Sequence, residues 1–322
     1  MSDFAETMAK MTRRRFGCGL KDLRRLSGGA TQELWRLVLD DDAASVLVLR
    51  RTRGGAAQVS ATNPPMETEA ELLKLALAAG APAPRVPHVL QPDDELGHGF
   101  LMSFIEGETL GNRIVKDPAL ARPELAAECG AVLAKIHSID PSLAPGLRTT
   151  SPAEVIDQWR NAYHMTNWPR PVISLAFRWL DDHCPPPPER PCVVHGDFRN
   201  GNLIIGPDGV RAVLDWELAH IGDPMEDLGW ICVNAWRFGV VDKPVGGFGS
   251  REDLWAGYEA AGGPPVDSRH ALFWEVLGTM KWGVMCAGMV ASFRGPDPQI
   301  DRGVIARRAS ENEVDLMRLM AS

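Results

Sequence analysis

The 322-residue sequence predicts an α+β protein in which a small antiparallel sheet comes first and a mainly helical part follows. The first observation is a series of short apolar segments, separated by turn residues, that fills the chain up to about residue 106. The second is the recurrence of apolar residues at helical spacing in much of the remainder. The third is a polar loop between short apolar strands within that helical part. We therefore predict an N-terminal arm (1–19), a sheet-rich unit (20–106) and a helical unit (107–322).

The composition is typical of a soluble globular protein, with 45% apolar and 24% charged residues. The formal net charge of −8 indicates no basic surface for nucleic acid, so no nucleic-acid partner is expected. The six cysteines are scattered without a Cys-x-x-Cys pair, which favours reduced thiols in a cytoplasmic protein. The N-terminal segment has no apolar run of the secretory type. Nothing in the sequence indicates an oligomeric state.

The sheet-rich unit is predicted to contain several strands and one helix. Gly80 and the prolines that follow it end the helix. The strands are expected at Leu34–Leu39, Val46–Leu49, Val89–Leu90 and Gly99–Ile105, and the helix at Pro65–Ala79.

A turn of small residues precedes the strand Leu34–Leu39 and contains Gly28, Gly29 and Thr31. Glycines in such a turn let backbone N–H groups approach a triphosphate without obstruction by side chains. An ordinary turn between two strands is the alternative. Together with the polar loop described below, the turn is interpreted as a phosphate-covering loop.

The helical unit is predicted from apolar residues at helix spacing, as in 124–136. Its longest apolar stretch, Trp274–Phe293, is interrupted by Glu275 and Lys281. It is therefore too short and too interrupted to span a bilayer, so a buried core helix is expected, with no membrane partner. The tryptophans here are expected in the core, although some could line a pocket. The predicted helix that contains this stretch is 269–291, and the others are 154–163, 172–183, 226–236, 251–261 and 305–320.

The polar loop begins after the apolar residues Val193 and Val194 and runs into a second apolar strand. The turn Gly206–Gly209 contains Pro and Asp-Gly, which suit a β-turn, so the strands on either side are predicted to form a hairpin. That hairpin would bring Asp197, Asn202 and Asp215 to one end of a sheet.

Two carboxylates and a carboxamide in one place suit phosphoryl transfer from a nucleoside triphosphate. Asp197 would take or orient the proton of an attacking hydroxyl group. Asn202 and Asp215 would hold Mg²⁺, which prefers oxygen ligands and needs few of them from the protein. Solvated turn residues are the alternative, and the strand–loop–strand context disfavours it.

The loop also resembles a known signature. His195-Gly196-Asp197, with Asn202 five positions further on, and Asp215-Trp216-Glu217 are similar to the motif of aminoglycoside phosphotransferases and related small-molecule kinases. The nearest similarity is to the kinase-like domains associated with acyl-CoA dehydrogenases. The resemblance covers about 26–289 and implies a bilobal protein-kinase-like fold with ATP or GTP and Mg²⁺ as cofactors.

The resemblance also implies roles for residues outside the loop. Arg50, at the end of the strand Val46–Leu49, stands where related kinases have a lysine that contacts the α- and β-phosphates. Glu69 in the following helix is the candidate carboxylate to pair with Arg50. The connector between the lobes would bind the adenine edge through Ser103, Phe104 and Ile105, with Met102 at the back of the pocket. His195, Arg199, Glu217 and Asp227 would have supporting roles, Glu217 near the metal and Asp227 as a brace for the loop backbone.

The predicted activity is therefore transfer of a phosphoryl group to a hydroxyl group of a small molecule. The resemblance favours a hydroxyacyl-CoA or hydroxy acid as the acceptor, and an aminoglycoside or an amino alcohol is the alternative. A catalytically inactive nucleotide-binding module is a hypothesis of another class, favoured only by Arg50 in place of lysine. A protein kinase is disfavoured because no activation segment is visible between Asp223 and Trp255.

Overall fold

The structure is a computed structural model that describes four stretches of the chain, 3–26, 32–56, 63–295 and 300–321. Its first part contains a five-stranded antiparallel sheet with the strand order β1-β2-β3-β5-β4. The strands are β1 Gly19–Arg25, β2 Gln32–Asp40, β3 Val46–Thr52, β4 His88–Val89 and β5 Gly99–Ser103. The antiparallel sheet expected in this part of the chain is confirmed.

Helix α1 (Asp3–Phe16) packs against the sheet instead of extending as a free arm. Its Met8 and Met11 are buried in an apolar cluster with leucines of β2, β3 and β5. Arg14 and Arg15 bind the buried carboxylate of Asp94, with nitrogen–oxygen distances of 2.5 and 3.0 Å. The basic end of the helix is thus attached to the loop before β5.

Helix α2 (Met66–Ala78) contributes its buried apolar residues to the main core of the protein, where they join Phe100 of β5. That core continues into the second part of the chain, which is mainly helical, as expected. Its helices are α3 Gly111–Ile114, α4 Leu125–His137, α5 Pro152–Met165, α6 Pro171–Asp182, α7 Met225–Trp230, α8 Arg251–Ala260, α9 Ser268–Arg294, α10 Ile300–Ala306 and α11 Ala309–Met320.

Two small sheets frame the polar loop. The predicted hairpin is present as β7 (Leu203–Gly206) and β8 (Gly209–Val213), paired antiparallel. The strand before the loop, β6 (Cys192–Val194), pairs instead with β9 (His220–Gly222). The sequence did not predict β9, because three residues are too few for a recognisable apolar alternation.

Helix α9 differs in length from the prediction. Within the described residues it is the one helix long and apolar enough to cross a membrane by length and composition, so the expectation that this stretch is too short was wrong. Every residue from Phe273 to Val284 is buried inside the protein, including Glu275 and Lys281. A helix that is buried on all sides and packed against other helices is a core helix.

Helix α7 ends six residues earlier than predicted, at Trp230. Beyond Trp230, two backbone carbonyl groups accept hydrogen bonds from side chains. Arg237 donates to the carbonyl of Cys232 at 2.6 Å, and Asn200 of the polar loop donates to the carbonyl of Trp236 at 3.1 Å. The chain therefore turns, and Trp236 comes to lie beside the loop.

Candidate active site

The backbone of the polar loop turns sharply at Gly196, whose φ is 78°. A Cβ atom at this position would lie 2.6 Å from the carbonyl oxygen of Leu218. Only glycine accommodates both the left-handed conformation and this close approach. The glycine of the His-Gly-Asp motif thus allows β6 to deliver Asp197 directly into the site.

The carboxylate of Asp197 receives hydrogen bonds from three side chains. Its Oδ1 accepts from Nε of Arg199 at 2.9 Å and from the indole Nε1 of Trp230 at 2.7 Å. Its Oδ2 accepts from Nδ2 of Asn202 at 2.6 Å. The side chain is 13% exposed and lines a cavity, so it is fixed in orientation while part of it remains accessible.

The hairpin holds Asn202 and Asp215 at its open end. Leu214 donates its N–H to the carbonyl of Asn202 at 2.8 Å, which extends the pairing of β7 with β8 by one step. Asp215 follows with a φ of 65°, a conformation that is uncommon outside glycine. Because Nδ2 of Asn202 is used by the carbonyl and the carboxylate of Asp197, its amide oxygen is the atom that can face a metal ion.

Arg50 lies on the central strand β3, directly opposite Leu34 of β2 and Phe100 of β5, and all three residues line the cavity. Its Nε is 3.1 Å from Oε2 of Glu69 in α2, so the expected ion pair is present. Its Nη2 also lies 2.5 Å from Oδ1 of Asp215. The guanidinium therefore connects the sheet to the hairpin that carries the loop.

The charges around Arg50 shift each other's ionisation. Burial opposes the charge on the guanidinium, but the carboxylates of Glu69, Asp215 and Glu217 raise the pKa of Arg50 above its ordinary value. Glu217 contributes from 4.0 Å. Burial raises the pKa of Glu69 to about 7, and the charge of Arg50 opposes that shift. Arg50 thus remains a cation at any pH at which the protein is folded.

Asp227 braces the backbone of the loop. Its two carboxylate oxygens accept the N–H groups of His195 at 2.8 Å and Gly196 at 2.9 Å. A third partner is His137 of α4, whose Nε2 lies 3.1 Å away and whose Nδ1 lies 2.9 Å from the hydroxyl oxygen of Tyr258. Burial alone would raise the pKa of Asp227, but these partners hold the pKa below its ordinary value.

The imidazole of His195 supports the loop from within the core. Its Nδ1 accepts the N–H of Asp197 at 3.2 Å, and its Nε2 lies 3.0 Å from the carbonyl oxygen of Leu214. This pattern belongs to a neutral ring with its proton on Nε2. Burial lowers the pKa of His195, which favours the same neutral form. His195 therefore ties the loop to β8 and does not face the cavity.

The cavity has a volume of about 560 Å³ and lies between the sheet and the helical part. One wall contains Leu73, Phe100 and Met102 beside Arg50. The opposite wall is built mainly from α7, α9 and α10 and combines aromatic, methionine and arginine side chains. Its members are Arg199, Trp230, Trp236, Trp282, Met285, Met289 and Arg302.

Six predicted nucleotide-binding residues are not among the described residues that line this cavity. Gly28, Gly29 and Thr31 fall outside the described residues. Ser103 and Phe104 already donate their N–H groups, to the carbonyls of Arg85 at 2.8 Å and Val46 at 3.2 Å.

These two bonds leave Ile105 as the one connector residue of the three whose backbone N–H group is not engaged in the described structure. None of Ser103, Phe104 and Ile105 is among the described residues that line the cavity, whereas Met102 is.

The sequence analysis missed two residues that contact the loop. Trp230 donates to Asp197, and Lys281 of α9 places its Nζ 3.4 Å from the carbonyl oxygen of Gly196. Both come from helices distant in sequence from the loop. The only signals were a tryptophan in the predicted helix 226–236 and a lysine in the apolar stretch Trp274–Phe293.

The residues at the hairpin end fit a magnesium ion. Within the described stretches no group of three or more His, Cys, Asp or Glu side chains is arranged as a metal site. Mg²⁺ needs few protein ligands when phosphate oxygens supply others, and an amide and a carboxylate oxygen match its preference. Asp215 is 30% exposed at its side chain and lines the cavity, as does Asn202.

The comparison with known families agrees with this geometry. A model described as the phosphotransferase enzyme family matches residues 22–263, well over half of the chain. The chain belongs to the phosphotransferase enzyme family. The similarity to aminoglycoside phosphotransferases inferred from the loop is thereby confirmed.

A curated relative of this phosphotransferase-family chain is acyl-CoA dehydrogenase family member 10 of Mus musculus. It is 32% identical over 201 residues, which cover 58% of this chain and 18% of the mouse protein. The chain therefore corresponds to a small part of that relative's length. The expected similarity to proteins named as acyl-CoA dehydrogenases is confirmed.

Solved structures of other phosphotransferases share the fold. A candidate aminoglycoside phosphotransferase from Ralstonia eutropha JMP134 superposes with a TM-score of 0.76 at 21% identity, covering 98% of each chain. Spectinomycin phosphotransferase, in complex with ADP and spectinomycin, gives a TM-score of 0.70 at 14% identity, covering 98% of this chain and 99% of that one. The bilobal kinase-like fold predicted from the sequence is confirmed.

Proposed function

We propose that this protein transfers the γ-phosphoryl group of ATP or GTP to a hydroxyl group of a small molecule. The observation that carries the proposal is the meeting of Asp197, Asn202, Asp215, Arg50 and Glu69 at one cavity. Family membership and the ADP bound by the spectinomycin enzyme support a nucleotide as the donor.

Each of these residues has a distinct part in the proposed reaction. Asp197 orients the acceptor hydroxyl and receives its proton as the oxygen attacks phosphorus. Arg50, held by Glu69, turns from Asp215 to the α- and β-phosphates when nucleotide enters. Asn202 and Asp215 would hold Mg²⁺, which when bound neutralises charge on the phosphates. The chain thus acts mostly by positioning and electrostatics.

The wall opposite Arg50 favours one class of acceptor. Most of its side chains are tryptophan or methionine, and its two charged members are Arg199 and Arg302. Among the described residues that line the cavity, the carboxylates lie around the phosphoryl-transfer centre and not on this wall. A polycationic aminoglycoside would meet arginines here, whereas a hydroxy acid or a hydroxyacyl thioester would place an apolar body on the tryptophans and its negative charge near the arginines.

A screen of ADP release tests the proposal with four acceptor classes: hydroxy acids, hydroxyacyl-CoA thioesters, aminoglycosides and amino alcohols. The expected result is magnesium-dependent ADP release with the first two classes. Release with aminoglycosides or amino alcohols alone would support the kinase activity and overturn the assignment of the acceptor. Nucleotide binding with no release in any class would favour an inactive nucleotide-binding module.

A further inference from the structure

The two oxygens of the Asp197 carboxylate have different surroundings. A carboxylate oxygen has two lone-pair directions in its plane. Both are used at Oδ1, by Arg199 at 2.9 Å and by Trp230 at 2.7 Å. Oδ2 has one donor among the described residues, Nδ2 of Asn202 at 2.6 Å. One position on Oδ2 is therefore left for an acceptor hydroxyl.

The indole ring of Trp230 is packed between other side chains. Trp230 is the last residue of α7 and is only 3% exposed, although it is one of the residues that line the cavity. Nζ of Lys281 lies 4.5 Å from the centroid of its ring, and the ring of Trp236 packs at 5.3 Å. Lys281 in turn contacts the carbonyl of Gly196 at 3.4 Å and Glu226 at 3.8 Å. A cation over the face of an indole is attracted to the ring and fixes its plane.

We propose that Trp230 is a positioning residue for Asp197. Its indole N–H, with Arg199, occupies Oδ1, so that Oδ2 is the atom that receives the proton. Lys281 holds the indole plane in the orientation that this hydrogen bond needs. The proposal rests on the phosphotransferase activity proposed above. It adds that Oδ2 of Asp197 receives the proton and that Trp230, which lies outside the sequence motif, orients the carboxylate.

In the proposed reaction the phosphoryl group and the hydroxyl proton are transferred in opposite directions. The acceptor O–H bond breaks as its oxygen forms a bond to the γ-phosphorus, and its proton passes to Oδ2 of Asp197. The bond between the γ-phosphorus and the bridging oxygen breaks, and its electron pair leaves with the nucleoside diphosphate. Asp197 later returns the proton to solvent. A carboxylate free to rotate would lose the alignment of Oδ2 with the attacking hydroxyl.

Trp230→Phe tests this, because it removes the N–H donor and retains an aromatic ring. The matched control is Trp274→Phe, since Trp274 is equally buried in the core, does not line the cavity and has an indole nitrogen without a hydrogen-bond partner in the described structure. The reaction measured is hydrolysis of Mg·ATP with water as the acceptor, so that changes in acceptor binding do not enter.

In Trp230→Phe the kcat should fall about tenfold, the typical effect of losing a hydrogen bond to a charged group. The KM for Mg·ATP should stay within about twofold, because the described contacts of the Trp230 ring are with Asp197, Lys281 and Trp236 and not with Arg50. Trp274→Phe should leave both the kcat and the KM unchanged.

A second measurement does not depend on turnover. In protein labelled with ¹⁵N-tryptophan, the indole N–H resonance of Trp230, identified by its loss in Trp230→Phe, should move upfield in Asp197→Asn, while that of Trp274 stays in place. An unmoved Trp230 resonance, or a Trp230→Phe enzyme with the kcat and KM of the control, would overturn the positioning role. If wild-type protein releases no more ADP than Asp197→Asn, the proposed function fails instead. The Trp230 resonance alone then shows whether Trp230 donates a hydrogen bond to Asp197.

Discussion

At the scale of single residues, the catalytic loop depends on a buried carboxylate that takes no part in chemistry. Asp227 accepts two successive backbone N–H groups of the loop and a hydrogen bond from His137. Removal of this buried acceptor would cost more free energy than the hydrogen bonds themselves contribute, because the backbone N–H groups would be left buried without a partner. The position of Asp197 should therefore depend on a residue thirty positions further along the chain.

Asp227→Asn should lower the free energy of unfolding by about 1–3 kcal/mol at pH 7, because the amide turns a donor towards one backbone N–H group. The effect should depend on pH. The folded-state pKa of Asp227 lies below its unfolded value, so its stabilisation is complete above about pH 4 and is lost as the pH falls through the folded-state pKa. The difference in the free energy of unfolding between wild type and variant should thus become smaller at acidic pH.

Urea unfolding at pH 7, 5 and 3.5 measures this difference in the free energy of unfolding between wild type and Asp227→Asn. Asp182→Asn serves as the control, since Asp182 is exposed at the end of α6, and it should behave as wild type at each pH. Equal stability of Asp227→Asn and wild type at pH 7 would show that Asp227 does not brace the loop.

The residues that the sequence could predict at this scale are those of one short segment. Asp197, Asn202 and Asp215 are close in sequence, and a two-strand hairpin with a recognisable turn fixes their arrangement. Trp230 and Lys281 reach the loop only because α7 and α9 pack together. No local pattern encodes such a contact, so sequence reasoning assigned these residues to helices and gave them no role.

At the scale of elements, α9 is the core around which the helical part is built, and its glycines differ in what surrounds them. A Cβ at Gly278 would meet Val233 at 3.0 Å and Trp230 at 3.1 Å. A Cβ at Gly288 would meet nothing within 4 Å. The same substitution should therefore have opposite effects on stability ten residues apart.

Gly288→Ala should raise the free energy of unfolding by about 0.5–1 kcal/mol, because alanine loses less backbone entropy in a helix interior. Gly278→Ala should lower it, because Trp230 and Val233 must move to make room. Thermal unfolding of both variants checks the pair. Destabilisation by Gly288→Ala would show that this part of α9 is not a regular helix.

The bounds of elements were predictable where turns are marked by Gly and Pro, as at the end of α2 and in the β7–β8 turn. They were not predictable where side chains take backbone carbonyl groups just beyond a helix, as Arg237 and Asn200 do after α7. The three residues of β9 were missed because their pairing with β6 depends on the whole polar loop lying between them.

At the scale of the molecule, Arg50 connects the sheet to the catalytic hairpin through Asp215 at 2.5 Å. Nucleotide with Mg²⁺ would take over both partners of this ion pair, the arginine through phosphates and the aspartate through the metal. In the described structure this one ion pair therefore joins the two groups that we propose to bind the nucleotide and its metal.

Saturating Mg·ATP should stabilise the wild-type protein, by about 2.7 kcal/mol at a hundred times its Kd. In Asp215→Asn the stabilisation added by Mg²⁺ over ATP in EDTA should be lost, because the amide replaces a charged metal ligand. The shifts in Tm are compared within each protein, since the substitution also removes a partner of Arg50. An equal contribution of Mg²⁺ in both proteins would exclude Asp215 as a ligand.

The most direct test of the phosphotransferase function is the rate of ADP release by Asp197→Asn, measured with whichever acceptor the wild type uses, beside its Kd for ATP. We expect the rate to fall by about a hundredfold or more, as for the loss of a general base, and the Kd to stay within about twofold of the wild-type value. A variant that releases ADP at the wild-type rate would contradict the assignment of this loop as the catalytic centre.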